Sequence, residues 1–262
     1  MTQASSVVVV CQAQHEPALL PGFLIRARKA AIFSVPYLNL RIRPSREEET
    51  IPVGHAGEQA RPVRFTRAEL TSFTGGTLPD LIAEGVRLLF TGINPGLRSV
   101  AVQGHFAPRG NRFYPALLRA GITDHLIDAS AGLTAGDRDY LLRRGVGITS
   151  LVARATASAD ALGPAELAEG ARALAGKIRR YRPRVVAILG ITAYRTAFGA
   201  TKAVLGRQPA DLDGAELWVV PNPSGRNAHA PLDTLAAAYR EVARAAGIDL
   251  RDLSDLRDLR AP

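Results

Sequence analysis

Two turns in this chain carry the residue types from which a site can be built. "RLLFTGINPGLRSV" (87–100) runs from an apolar segment into Asn94-Pro95-Gly96, and "AELWVVPNPSG" (215–225) ends in Asn222-Pro223-Ser224-Gly225. A carboxamide is neither acid nor base near neutrality; it offers an acceptor oxygen and two N–H donors. Pro fixes the backbone after each Asn, and Gly lets the main chain come close to a ligand. Taken singly, such turns are ordinary chain reversals. As a pair at strand ends they present oriented amides beside open backbone N–H groups, which suits a phosphate or the edge of a base. Between them lies "GHFAPRGNRFYPAL" (104–117). Phe106 on that Gly/Pro-bounded loop can stack on a flat ligand or plug the core beneath it. Phe113 and Tyr114 read as core, whereas Arg109 and Arg112 suit phosphate or solvent.

The elements that must position these residues alternate. "VRLLFTGI" (86–93), "GVGITSLV" (145–152), "RVVAILG" (184–190) and "AELWVV" (215–220) are continuous apolar runs, as expected of strands covered on both faces. Helices are predicted at "TRAELTSF", "LPDLIAE", "NRFYPALLRAG", "GDRDYLLRRG", "ITAYRTAFG" and "PLDTLAAAYREVARAAG". The clearest helix is "GPAELAEGARALAGKIRRYRP", with Pro164 at its start, Pro183 at its stop, and Leu167, Ala171, Leu174, Ile178 and Tyr181 on one face. Strands alternating with helices predict an α/β fold: three layers, with a short four-stranded parallel sheet between helices. Working residues in such sheets gather beyond the carboxyl ends of the strands. Residues 1–65, broken by Pro17, Pro21, Pro36, Pro44 and Pro52 and by the run "SREEET", predict a poorly ordered extension. Residues 66–248 form the folded domain in this reading, and 249–262 a tail.

The composition narrows the function. Of 262 residues 47% are apolar, enough for one good core, and the formal charge is +9, which favours a polyanionic partner, nucleic acid before membrane. A single cysteine, Cys11, excludes a disulfide framework and a Cys-ligated cluster and fits a reducing, cytoplasmic setting. No apolar run approaches the ~18 residues of a membrane span. The five histidines are scattered with no metal-ligand spacing, so no metal is expected. No G-x-G-x-x-G follows the first strand, which disfavours a nucleotide-cofactor enzyme.

"GINPG" (92–96), "FAPRGNRFY" (106–114), "GITSLVARAT" (147–156) and "NPSG" (222–225), in this order and at these distances, resemble the mismatch-specific uracil/thymine-DNA glycosylases, the bacterial mismatch branch of the uracil-DNA glycosylase superfamily. The resemblance spans about residues 66–246. It implies a monofunctional base-excision-repair enzyme, a monomer acting on the bacterial nucleoid. Such an enzyme flips uracil or a related mismatched base from double-stranded DNA and hydrolyses its N-glycosidic bond without metal or cofactor. The alternative is a weak or inactive lesion-binding protein on the same fold. By resemblance Asn94 is catalytic, orienting the water, and Phe106 stacks on the flipped base. Backbone groups at Ile93 and Phe106 read its edge, and Ser99 lies near its 5-position. Ser150 and Asn222 contact the base, and Ser224, Gly225, Arg226 and Asn227 belong to the loop that enters the duplex. The sequence departs from the family pattern twice: Arg226 stands where an apolar wedge is usual, and Ser150 where Lys or Asn is common.

Overall fold

The computed structural model describes residues 64–225 and 230–251. Five strands form one sheet: β1 (Leu88–Gly92), β2 (Val146–Ser150), β3 (Val185–Leu189), β4 (Gly206–Arg207) and β5 (Glu216–Val220), in the order β2-β1-β3-β5-β4. The first three and β5 are mutually parallel, with Leu88 level with both Val146 and Val185, and Val185 level with Glu216. These are the four strands that the apolar runs predict. The fifth is the difference: β4 is two residues long and pairs antiparallel with β5, too short to leave a hydrophobic pattern. The extension and tail predicted for 1–65 and 249–262 fall outside the described residues, save for 64–65 and 249–251.

Alternation along β1 explains why its run is apolar on both faces, with Thr91 the one polar side chain. Leu88 and Phe90 enter one cluster with Phe113 and Leu117 of α3 (Phe113–Arg119) and Leu235 and Tyr239 of α7 (Leu232–Ala245). Leu89 enters the other, with Leu167, Leu174 and Ile178 of α5 (Pro164–Tyr181) and Tyr194 and Ala197 of α6 (Ile191–Phe198). Every residue of β1 and β3 is buried, so a polar side chain has no solvent face to occupy there. α5 starts with Pro164 after Gly163 and ends where Arg182 turns left-handed (φ 48°) ahead of Pro183, as the prolines predict. Its Gly170 lets it press on the chain leaving β2: a Cβ there would lie 2.5 Å from the Leu151 carbonyl oxygen.

Helices α1 (Arg67–Thr71) and α4 (Ala135–Arg143) each open on a capping box, Thr66 with Glu69 and Thr134 with Asp137. "LPDLIAE" is not a helix. Leu81 instead exchanges two backbone hydrogen bonds with Ile148, at 2.9 and 2.7 Å, along the outer edge of β2. In extended form the segment buries both Leu78 and Leu81 while its backbone bonds to β2. One short helix, α2 (Leu97–Ala101), was not expected; it follows directly on Asn94-Pro95-Gly96.

Candidate active site

A cleft of about 1630 Å³ opens at the carboxyl ends of the parallel strands. It exceeds the roughly 300–1,000 Å³ typical of a small-molecule pocket, as a groove for a larger ligand would. Ile93, Asn94, Ser99, Phe106, Ser150, Asn222, Ser224 and Gly225 all line it. Arg226 and Asn227 lie outside the described residues. The two Asn turns do not sit on neighbouring strands: β3 lies between β1 and β5, and Gly190, just after β3, lies between Asn222 and Ile93. A Cβ on Gly190 would touch the Asn222 side chain at 3.6 Å and Ile93 Cδ1 at 3.7 Å.

The chain leaving β1 stays zipped to the chain leaving β2 after the sheet has ended. Leu151 N–H donates to the Gly92 carbonyl at 2.9 Å, Val152 N–H to Ile93 at 3.0 Å, and Thr156 N–H to Pro95 at 3.3 Å. The Asn94 side chain supplies a further rung. Its Nδ2 donates to the Arg154 carbonyl at 3.1 Å and to Thr156 Oγ1 at 2.7 Å. The Thr156 hydroxyl in turn donates to the Ser158 carbonyl at 2.7 Å. Both N–H groups of the carboxamide are therefore spent on protein acceptors. Oδ1 makes no hydrogen bond among the described residues and is the atom left for the cleft. Arg154 is itself tied by its guanidinium to Glu166 at 2.5 and 2.7 Å, which links the Asn94 support to the first turn of α5.

Phe106 packs against the core and also faces the cleft. One side of its ring lies on Phe113, centroids 4.0 Å apart at 27°, and the side chain is half-buried and lines the cleft. The ring tip is next to Gly92: a Cβ there would sit 3.6 Å from Phe106 Cζ and 3.7 Å from Ser150 Oγ. Its backbone is left-handed, φ 56°, which costs a bulky L-residue roughly 1–2 kcal/mol. Phe113 and Tyr114 are core, as expected. Ser99 is buried in α2.

The second turn is closed by Asn222 Oδ1 accepting the Ser224 N–H at 2.9 Å. Arg112 is tied into this turn. Its guanidinium donates to the Ser224 carbonyl at 2.9 Å and the Ala230 carbonyl at 2.5 Å, and its N–H donates to the Pro223 carbonyl at 3.0 Å. Gly225 presses on the 106–112 loop so closely that a Cβ would come within 2.9 Å of the Gly110 carbonyl oxygen. Arg109 is exposed at the cleft wall. Thr156, the Arg154 carbonyl and Arg112 are the supports that sequence reasoning missed. A backbone acceptor leaves no mark in a sequence, and a lone Thr or Arg far from its partner leaves little more.

Among the described residues no helix is long and apolar enough to cross a membrane. A family model described as the uracil DNA glycosylase superfamily matches residues 79–243. The chain is also similar to a solution NMR structure from Methanosarcina acetivorans described as a "putative Uracil DNA glycosylase". That match has 15% identity and a TM-score of 0.43, and it covers 64% of this chain and 98% of the other.

Proposed function

The chain belongs to the uracil DNA glycosylase superfamily, and from that premise we propose that it is a monofunctional, mismatch-type DNA glycosylase that removes uracil or a related base from duplex DNA. The observation that carries this reading is the fixed carboxamide of Asn94, whose two N–H groups are held by Arg154 and Thr156 while Oδ1 is left to the cleft.

In this mechanism the base leaves before the nucleophile has fully bonded. The C1′–N bond breaks, its electron pair departs with the base, and the sugar becomes cation-like. A water then forms the new C1′–O bond, and its surplus proton neutralises the departed base anion through solvent. An amide is no general base, so Asn94 acts by orienting that water through an accepted hydrogen bond. A prepositioned acceptor lowers the barrier without reorganising during the reaction. Ile93 and the Phe106 backbone meet the edge of the flipped base, the Phe106 ring stacks on its face, and Ser99 and Ser150 bound the space around it. Asn222, Ser224 and Gly225 stand at the rim where the strand passes, with Arg226 and Asn227 following them into the duplex. The +9 charge suits the phosphate contacts that hold duplex DNA irrespective of sequence.

The test is strand scission on labelled duplexes carrying one uracil opposite guanine, thymine opposite guanine or etheno-cytosine, with Asn94→Ala alongside. Alkali-dependent cleavage by the wild type and none by Asn94→Ala, with duplex affinity retained, is the expected result. Full activity in Asn94→Ala removes the assignment of Asn94. A wild type that binds but cuts none of these leaves a lesion-binding protein.

A further inference from the structure

We infer that His105 is a positioning residue that holds the Phe106 ring as the stacking surface of the base site. This rests on the proposed base-excising role.

The backbone of Phe106 is left-handed, a conformation that a phenylalanine does not hold without support. The support comes from the residue before it. His105 is a buried polar side chain. Its Nε2 lies 2.9 Å from the Pro79 carbonyl oxygen, which makes it the N–H that donates there. Its own carbonyl accepts the Tyr114 hydroxyl at 3.0 Å. One residue upstream, Gly104 N–H donates to the Ser99 carbonyl at 2.9 Å. Residue 105 is thereby pinned through its ring on one side and its backbone on the other, and the next residue, Phe106, lies on Phe113 and faces the cleft. The three anchors come from separate parts of the chain: the 79–81 segment, α2 and α3.

The groups around His105 suit a neutral donor. Burial lowers its proton affinity, and the charges that face it, Asp80 and Lys177, are ion-paired with each other at 2.6 Å. An aliphatic side chain at 105 would strand the Pro79 carbonyl, whereas glutamine can carry an N–H to nearly the same place. Burial likewise keeps the Tyr114 phenol protonated, so it remains a donor.

The experiment is a double-mutant cycle on the full chain, read by single-turnover excision of uracil opposite guanine at sub-saturating enzyme. His105→Leu and Tyr114→Phe each remove one anchor; each is expected to slow excision by about tenfold or more. Phe106→Ala is expected to do the same, and neither anchor substitution should slow Phe106→Ala further. His105→Gln should restore most of the rate. Equal losses in the wild-type and Phe106→Ala backgrounds would show that His105 does not act through Phe106 and overturn the inference. So would wild-type rates in both His105→Leu and Tyr114→Phe. If His105→Leu does not fold, Tyr114→Phe, which deletes one hydroxyl, and His105→Gln decide alone. A wild type silent on uracil and on the other lesions overturns the base-excising role itself, a result distinct from failure of the cycle.

Discussion

Asn94 Nδ2 donates to Thr156 Oγ1 at 2.7 Å, and Thr156 spends its own hydroxyl proton on the Ser158 carbonyl at 2.7 Å. The chain of donors runs one way. Position 94 must supply hydrogens to two acceptors, and a carboxylate has none to give. The site is built for an amide.

Asn94→Asp should therefore not behave as a more reactive version of the same site. An ionised Asp would face the Arg154 carbonyl and a Thr156 oxygen whose proton is already committed. Neighbours of this kind favour the protonated acid. Excision at pH 8 should fall by about tenfold or more, and should recover as the pH is lowered and the acid regains a proton to donate. A pH–rate profile of the variant that stays flat, or rises with pH, would refute the one-way donor chain.

Thr156→Val keeps the shape and removes both hydrogen bonds. With Asn94 held by the Arg154 carbonyl alone, excision should drop by about 10–100-fold, while thermal stability should lose only about 1 kcal/mol. Thr156→Ser should remain close to wild type. Circular-dichroism melts beside single-turnover rates separate the two effects.

Gly170→Ala tests the pressing of α5 on the chain that leaves β2. In an ordinary helix this change stabilises by about 1 kcal/mol. Here the new Cβ meets the Leu151 carbonyl oxygen at 2.5 Å, so the variant should lose about 1–3 kcal/mol instead. A higher melting temperature would contradict the close approach.

The burial of His105 predicts a pH signature in stability. Its folded-state proton affinity is lowered, first by desolvation. Above its unfolded value of 6.5 both states are neutral and the contribution is fully present. As the pH falls below that value the unfolded chain takes up a proton that the native chain resists, and stability is lost until the folded group also titrates. Denaturant midpoints of the wild type should decline faster below pH 6.5 than those of His105→Gln. Parallel curves would assign the decline to other groups.

Much of the frame can be read from the sequence because the physics there is local. β1, β2, β3 and β5 are short apolar runs with side chains buried on both faces of the sheet. α5 carries its limits in Pro164 and Pro183. Asn94, Phe106 and Asn222 stand out as types unusual for their places. What cannot be read is what holds them. Asn94 and Thr156 are 62 positions apart, His105 and Pro79 are 26, and Arg112 and Ser224 are 112. "LPDLIAE" misleads because its spacing suits a helix, while the decisive contact is a two-bond bridge to Ile148.

Both margins of the sheet are closed by small antiparallel pieces. Leu81 covers β2, and β4 covers β5, where Arg207 is paired with Asp211 and Glu216. A bare parallel edge is a template on which another chain can add a strand, and the products of such addition are fibres and precipitates. Here that template is blocked on one side by a doubly bonded leucine and on the other by a two-residue strand bearing charge. A strand added at either margin would first have to displace one of these pieces.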